Sequence, residues 1–185
     1  MCIRDSIESG TDSLPDARSE SIEIFEAGLA KFGLREALAY LNSWVDFRYT
    51  AMARLQGDLF LTVEVFDKFG KLSTEDFPDQ PFNDSFCQFV KRDGPWAVPD
   101  TRLEPMLDGN KNQGVVISYV GVPVLNGIGG DFYGTLCHFD FEPRRVGDRH
   151  YEFLKQAGLV LSTIFEPSAL AIDCLLYTSP SPRDL

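Results

Sequence analysis

The sequence predicts an α/β protein of the α+β kind, an antiparallel sheet with helices at both ends of the chain. Three observations predict it. Val115 to Asp140 reads as two strands joined by a glycine-rich hairpin, and Phe47 to Phe66 as a second antiparallel pair. Apolar residues recur at helical spacing near both ends, as Ile22, Phe25, Leu29 and Phe32, and again as Tyr151, Leu154, Leu161 and Phe165.

In chain order, the first helical pattern is interrupted by Gly33 and resumes through Leu34, Leu38 and Leu41. Phe47 to Leu55 is a strand, with Phe47, Tyr49, Ala51 and Ala53 on one face and Arg48, Thr50, Met52 and Arg54 on the other. Gln56-Gly57-Asp58 turns it back into the strand Leu59 to Phe66. Asp67 to Phe82 reads as loop. Asn83 or Asp84 then caps a helix over Ser85 to Lys91, and Gly94 closes it. Trp96 to Val98 is a short strand, and Pro99 to Asn112 is irregular with one helical turn. In the central hairpin, Val115, Ile117, Tyr119 and Gly121 alternate with Val116, Ser118, Val120 and Val122, and both sets are largely apolar, so both faces are expected to be covered. Asn126-Gly127 and Gly129-Gly130 supply turn positions, and Phe132 to Phe139 returns. Asp148 caps the final helix, His150 lies solvated in its first turn, and Pro167 ends it.

Ser118-Tyr119-Val120-Gly121-Val122-Pro123-Val124, followed after the turn by Tyr133-Gly134-Thr135-Leu136-Cys137-His138-Phe139-Asp140, resembles the paired core strands of a GAF domain. Ser85-Phe86-Cys87, Val98-Pro99-Asp100-Thr101-Arg102 and the helix after Pro143 extend the resemblance over roughly Phe25 to Phe165. The family is a small-molecule sensory fold found in signalling proteins. The resemblance implies a GAF/PAS-like sandwich. Its central antiparallel sheet has five to six strands, with the terminal helices on one face and short helices and loops on the other. Any ligand would lie beneath those loops. The terminal helices would serve signalling or pairing with a second subunit.

The 185-residue chain carries a net charge of −11, which argues against nucleic acid or an anionic membrane as partner. No apolar run approaches a membrane span and no basic-then-apolar leader is present, so a cytoplasmic location is expected. The ends are set apart. Met1 to Asp5 back-translates to ATG TGT ATA AGA GAC, and Cys174 to Ser179 to TGT CTC TTA TAC ACA TCT, which contains its reverse complement. Residues 1–6 and 174–185 thus resemble a translated transposase sequencing adapter, the mark of a metagenomic fragment. Their charges cancel in pairs, and Cys87 and Cys137 remain as the native cysteines, too few for a disulfide framework. Residues 7–20 read as a flexible lead-in and 21–167 as the GAF-like domain, with the native gene expected to continue beyond either end.

Chemistry is sparse. Gly127-Ile128-Gly129-Gly130 is not a phosphate cradle, because such a loop opens a helix and here a strand follows. Cys137 and His138 are neighbours on a strand and point to opposite faces, so they cannot share an ion and no metal is expected. Within the family, the bilin photoreceptors carry a Cys–His pair, but the pair here sits inside a core strand without the surrounding aspartate and histidine pattern. The cysteine pattern of the methionine sulfoxide reductases is missing, as are signature residues for cyclic nucleotides. What remains is an apolar pocket with a few polar groups. Its candidate residues are Phe86, Cys87, Trp96 and Asp100 from the covering segments and Tyr49, Tyr119 and Cys137 or His138 from the sheet. Asp100 alternatively caps the turn that follows it.

The resemblance implies, as the expected function, a non-catalytic sensory or regulatory module. It would bind an unidentified small molecule, require no known cofactor, and act on an output domain such as a histidine kinase or on a second copy of itself. Two alternatives stay open. A ligand-free dimerisation module would show a sealed core. A small redox enzyme would show Cys87 and Cys137 within bonding distance of each other, or either beside His138.

Overall fold

The computed structural model describes residues 21–165; the expectations for residues 1–20, for 166–185 and for the stop at Pro167 lie outside the described residues. Helices α1 (Ile22–Phe32) and α2 (Leu34–Asn42) are separated by Gly33, whose φ of 89° both ends α1 and redirects the chain. The Ser21 hydroxyl accepts from the Ile24 N–H and caps α1. Strands β1 (Tyr49–Gln56) and β2 (Leu59–Asp67) form the first hairpin. A two-residue edge strand β3 (Gln80–Pro81), helix α3 (Cys87–Asp93) and strand β4 (Trp96–Val98) follow. Strands β5 (Ser118–Leu125) and β6 (Phe132–Asp140) make the second hairpin, and α4 (Asp148–Ile164) ends the described chain.

The sheet is antiparallel in the order β3-β2-β1-β6-β5-β4. The two hairpins meet at β1 and β6, where Tyr49 faces Phe139 and Ala51 faces Cys137. Each face has its own core. Leu38 and Leu41 of α2, Leu154 and Leu161 of α4, and Phe25 of α1 pack on Met52, Val120, Val122 and Leu136. On the other face, Phe86, Cys87, Phe89 and Val90 lie against Tyr49, Ala51, Tyr119 and Cys137. The predicted sandwich of five to six strands with terminal helices on one face is the fold observed, with six strands.

Several local expectations are corrected. Phe47 lies ahead of β1 and packs in the helix-side core, so it does not share the face of Tyr49 and Ala51. Residues 67–82 contain β3, which pairs with β2. Helix α3 starts at Cys87, not Ser85, because Phe82–Asp84 forms a separate 3₁₀ turn; Phe86 is its N-cap and supplies no side-chain cap. Pro99 to Asn112 holds two 3₁₀ turns, Thr101–Leu103 and Pro105–Leu107. Strand β5 starts at Ser118 rather than Val115. Gly147, not Asp148, is the N-cap of α4.

The β2 end is fastened by Asp67, whose carboxylate is fully buried. It accepts from Arg48 Nε at 2.8 Å and Nη2 at 2.9 Å, and from the N–H groups of Phe69, Lys71 and Leu72. The Arg48 guanidinium holds this carboxyl far below the usual carboxylate range, assisted by those N–H groups. Arg48→Met should leave a buried, unpaired charge and cost about 3–5 kcal/mol in urea denaturation. Gly158 marks the closest approach of α4 to the sheet: a Cβ there would stand 2.9 Å from Val122 Cγ2 and 3.0 Å from the Pro123 carbonyl oxygen. Gly158→Val should cost about 1–3 kcal/mol by the same measurement.

Candidate ligand pocket

A cavity of about 360 Å³ lies between the sheet and its covering segments. On β1 it is lined by two small side chains, Ala51 and Ala53, which sit beside Val65 and Thr62 of β2 and Cys137 and Thr135 of β6. Phe60, Thr62 and Val65 of β2, Tyr119 of β5, and Cys137 and Phe139 of β6 complete the sheet side. The cover comes from three segments: Phe77 to Gln80, Ser85 to Cys87 at the start of α3, and Asn112 with Val115 and Val116. The last of these is loop because the Val115 and Val116 N–H groups both bond to the Asn112 carbonyl.

The floor is neutral and internally bonded. Cys87 Sγ lies 3.1 Å from Thr135 Oγ1 and 3.4 Å from Tyr119 Oη. Burial pushes the Cys87 thiol up, and the Cys137 thiol and Tyr119 phenol well above their ordinary values. The Tyr119 ring meets Phe86 edge-on at 5.7 Å and tilts against Trp96 at 5.8 Å. The rim is polar. Asn112 Nδ2 donates to Gln80 Oε1 at 2.9 Å and to the Asp84 carbonyl at 2.8 Å, while the Thr62 N–H donates to Asp79 Oδ1 at 3.3 Å.

Of the residues predicted for the site, Phe86, Cys87, Tyr119 and Cys137 are brought together around this cavity. Trp96 and Tyr49 stand behind the wall: Trp96 packs on Phe86 and Phe89, and Tyr49 stacks on Phe139 at 4.8 Å and meets Phe77 edge-on at 5.3 Å. Asp100 is elsewhere. It caps the 3₁₀ turn at Thr101 by accepting from the Arg102 N–H, and it pairs with the Arg102 guanidinium at 2.9 and 2.7 Å, which holds its carboxyl below the usual range. Its capping reading is the one the structure supports. Phe77, Asp79, Gln80, Asn112 and Phe139 also line the cavity and escaped the sequence reading. Phe139 alone had a signal, since it lies two residues from Cys137 on one strand face.

His138 points away from the pocket, into the helix-side core, and its neighbour Cys137 faces the cavity. Its Nδ1 lies 2.7 Å from Thr50 Oγ1, and its Nε2 lies 2.9 Å from His150 Nε2. His150 is therefore buried at 5% exposure, not solvated. Asn42 Nδ2 donates to Thr50 Oγ1, which leaves the Thr50 hydroxyl proton for His138 Nδ1. In that arrangement His138 carries its ring proton on Nε2, where His150 Nε2 is its partner. Both cysteines are free, and His138 lies on the opposite face of β6 from Cys137. Among the described residues no cluster of three or more His, Cys, Asp or Glu is placed to hold a metal, and no helix is long and apolar enough to cross a membrane.

No protein-family model matches this chain, and no curated protein matches it. Solved structures do. The chain is similar to the chromophore-binding domain of an unusual bacteriophytochrome from R. palustris, with a TM-score of 0.60 and 14% identity over 83% of this chain and 59% of that one. It therefore spans about three-fifths of that protein's length. It is also similar to free methionine-R-sulfoxide reductase from Neisseria meningitidis in complex with its substrate, with a TM-score of 0.61 and 17% identity over 80% and 87% of the two chains. The GAF domain of Acinetobacter phosphoenolpyruvate-protein phosphotransferase gives a TM-score of 0.60 and 11% identity over 76% and 87%. At these identities the likeness is one of fold, and the fold is that of a GAF domain.

Burial first, then His150 and Lys68, push the His138 ring well below the usual histidine range. The unfolded chain takes up this proton near the ordinary value of about 6.5, so below that pH the unfolded state binds more protons. The contribution is complete above about pH 6.5 and is lost as pH falls, at no more than about 1.4 kcal/mol per pH unit for one site. Urea midpoints taken from about pH 7.5 down to about pH 5 should fall, and His138→Asn should flatten that slope.

Proposed function

We propose that this domain is a sensory or regulatory module that takes a small molecule into the cavity beneath Phe77, Phe86 and Asn112. The observation that carries the reading is the cavity itself, an apolar space of about 360 Å³ with its polar groups gathered at one side. A module with only a coupling role would have no need of it.

Strand β6 supports the second half of the reading. Cys137 and Phe139 form pocket wall, while Leu136 and His138, between and beside them, pack under the terminal helices. A ligand that draws the covering segments inward also loads β1 and β6, and the His138–His150 bond links β6 to α4. The response is a population shift between arrangements of the terminal helices. Ile24 and Phe32 on α1, and Leu159 and Ile164 on α4, are exposed apolar residues on those helices. They offer a surface for a second copy or for an output domain, such as a histidine kinase, that reads the shift.

The full chain, purified gently and examined by native mass spectrometry, should carry a small additional mass. Ala51→Phe, which fills the cavity from β1, should remove it. A ligand present at about 100 times its Kd should stabilise the parent chain by about 2.7 kcal/mol and the variant by nothing. A clean, empty dimer with no ligand-dependent stabilisation would sink the sensor reading in favour of a ligand-free coupling module.

A further inference from the structure

The chemistry of the pocket wall narrows what it accepts, on the reading that this cavity is the ligand site. Among the described residues that line it there is no lysine or arginine, and Asp79 is the one charged side chain. The whole chain carries a net charge of −11. An organic anion would therefore have to shed its hydration into a wall that offers no counter-charge, in a chain whose net charge is of its own sign.

The hydrogen-bonding groups point the same way. Cys87, Tyr119 and Thr135 are engaged with one another at the floor. The Ser85 hydroxyl is spent on the Phe82 carbonyl, and the Asn112 amide N–H groups on Gln80 and Asp84. The thiols and the phenol stay un-ionised, because burial raises all three. The interior thus presents aromatic edges and faces from Phe60, Phe77, Phe86 and Phe139, with nothing that calls for a charge. The polar capacity that remains lies on one side, where Thr62, Asp79, Gln80 and Asn112 adjoin through the bonds from Thr62 to Asp79 and from Asn112 to Gln80. A cavity of about 360 Å³ is also near the small end of ligand pockets.

We infer that the pocket takes an uncharged, mainly aromatic small molecule, its apolar body against the phenylalanines and its polar end at the Thr62–Asp79–Gln80–Asn112 rim, and that it discriminates against anions of the same shape. Shape admits both members of a neutral and anionic pair; the desolvation cost of the charge separates them.

N-phenyl-1-naphthylamine and 8-anilinonaphthalene-1-sulfonate are such a pair, sharing one skeleton and differing by a sulfonate. Fluorescence titration of the full chain should show saturable binding of the neutral probe at one site per chain. The sulfonate should bind that site at least about tenfold more weakly. Ala51→Phe should abolish the neutral probe's binding, with Thr62→Phe as a second cavity-filling variant should the first fail to fold. Asp79→Lys, at an exposed rim position, should narrow the gap in favour of the sulfonate. Equal or tighter sulfonate binding at a site blocked by the filling variants would overturn the inference and leave the pocket reading intact. An unchanged ratio in Asp79→Lys would overturn its electrostatic basis. Failure of both probes to bind in a manner sensitive to the filling variants would overturn the pocket reading itself, and the inference with it.

Discussion

Strands β1 and β6 lie at the centre of the sheet, and neither has a face that can be left in water. Met52 and Leu136 on one side, and Ala51 and Cys137 on the other, are all 5% exposed or less. Two covers are therefore obligatory, and the chain supplies them from different parts. Regular helices at the two ends cover one face at close approach, down to the Gly158–Val122 contact. The other face falls to the segments between the hairpins, which are short and interrupted by Pro78, Pro81, Pro95 and Pro99. Helices pack on a sheet without gaps; irregular segments arching over Ala51 and Ala53 leave a space. The cavity follows from which segments were available to cover which face.

The architecture was legible in the sequence where one signal had no competitor. Both hairpins combine alternation with turn chemistry, and the terminal helices show clean periodicity. Boundaries failed where tertiary bonds competed. Val115 and Val116 continue the β pattern of Ser118 to Leu125, yet the Asn112 carbonyl takes both of their N–H groups and holds them in the cover. Phe47 alternates with Tyr49 in sequence, but it stands outside the paired strand and packs under the helices. Strand β3 is two residues long and includes a proline, too little to read. His150 was a missed opportunity: with Leu154, Ala157 and Leu161 it keeps helical spacing on the buried side, and the charged Arg149 and Glu152 beside it made the turn look solvated.

The site was half legible for a similar reason. Residues on the sheet obey a two-residue period, which offers Tyr49, Tyr119 and either Cys137 or His138; of these, Tyr119 and Cys137 line the cavity. Residues on the cover obey no period, and Phe77, Asp79, Gln80 and Asn112 reach the cavity through loop paths that only the fold defines. Asp100 misled because a carboxylate ahead of a tight turn has a local use in any protein. His138 misled because its neighbour faces the pocket, and adjacency on a strand means opposite destinations.

The two borders of the sheet carry a consequence for assembly. The outermost strands are only two and three residues long, and prolines at 81, 95 and 99 sit in or beside them. Proline cannot donate to a ladder, and such short runs give an incoming strand almost nothing to zip onto. On these two strands, growth of the sheet from molecule to molecule, a route to fibrils, finds little to pair with. Contacts made side chain to side chain, by contrast, can form and release without disturbing the backbone pairing that holds the fold together.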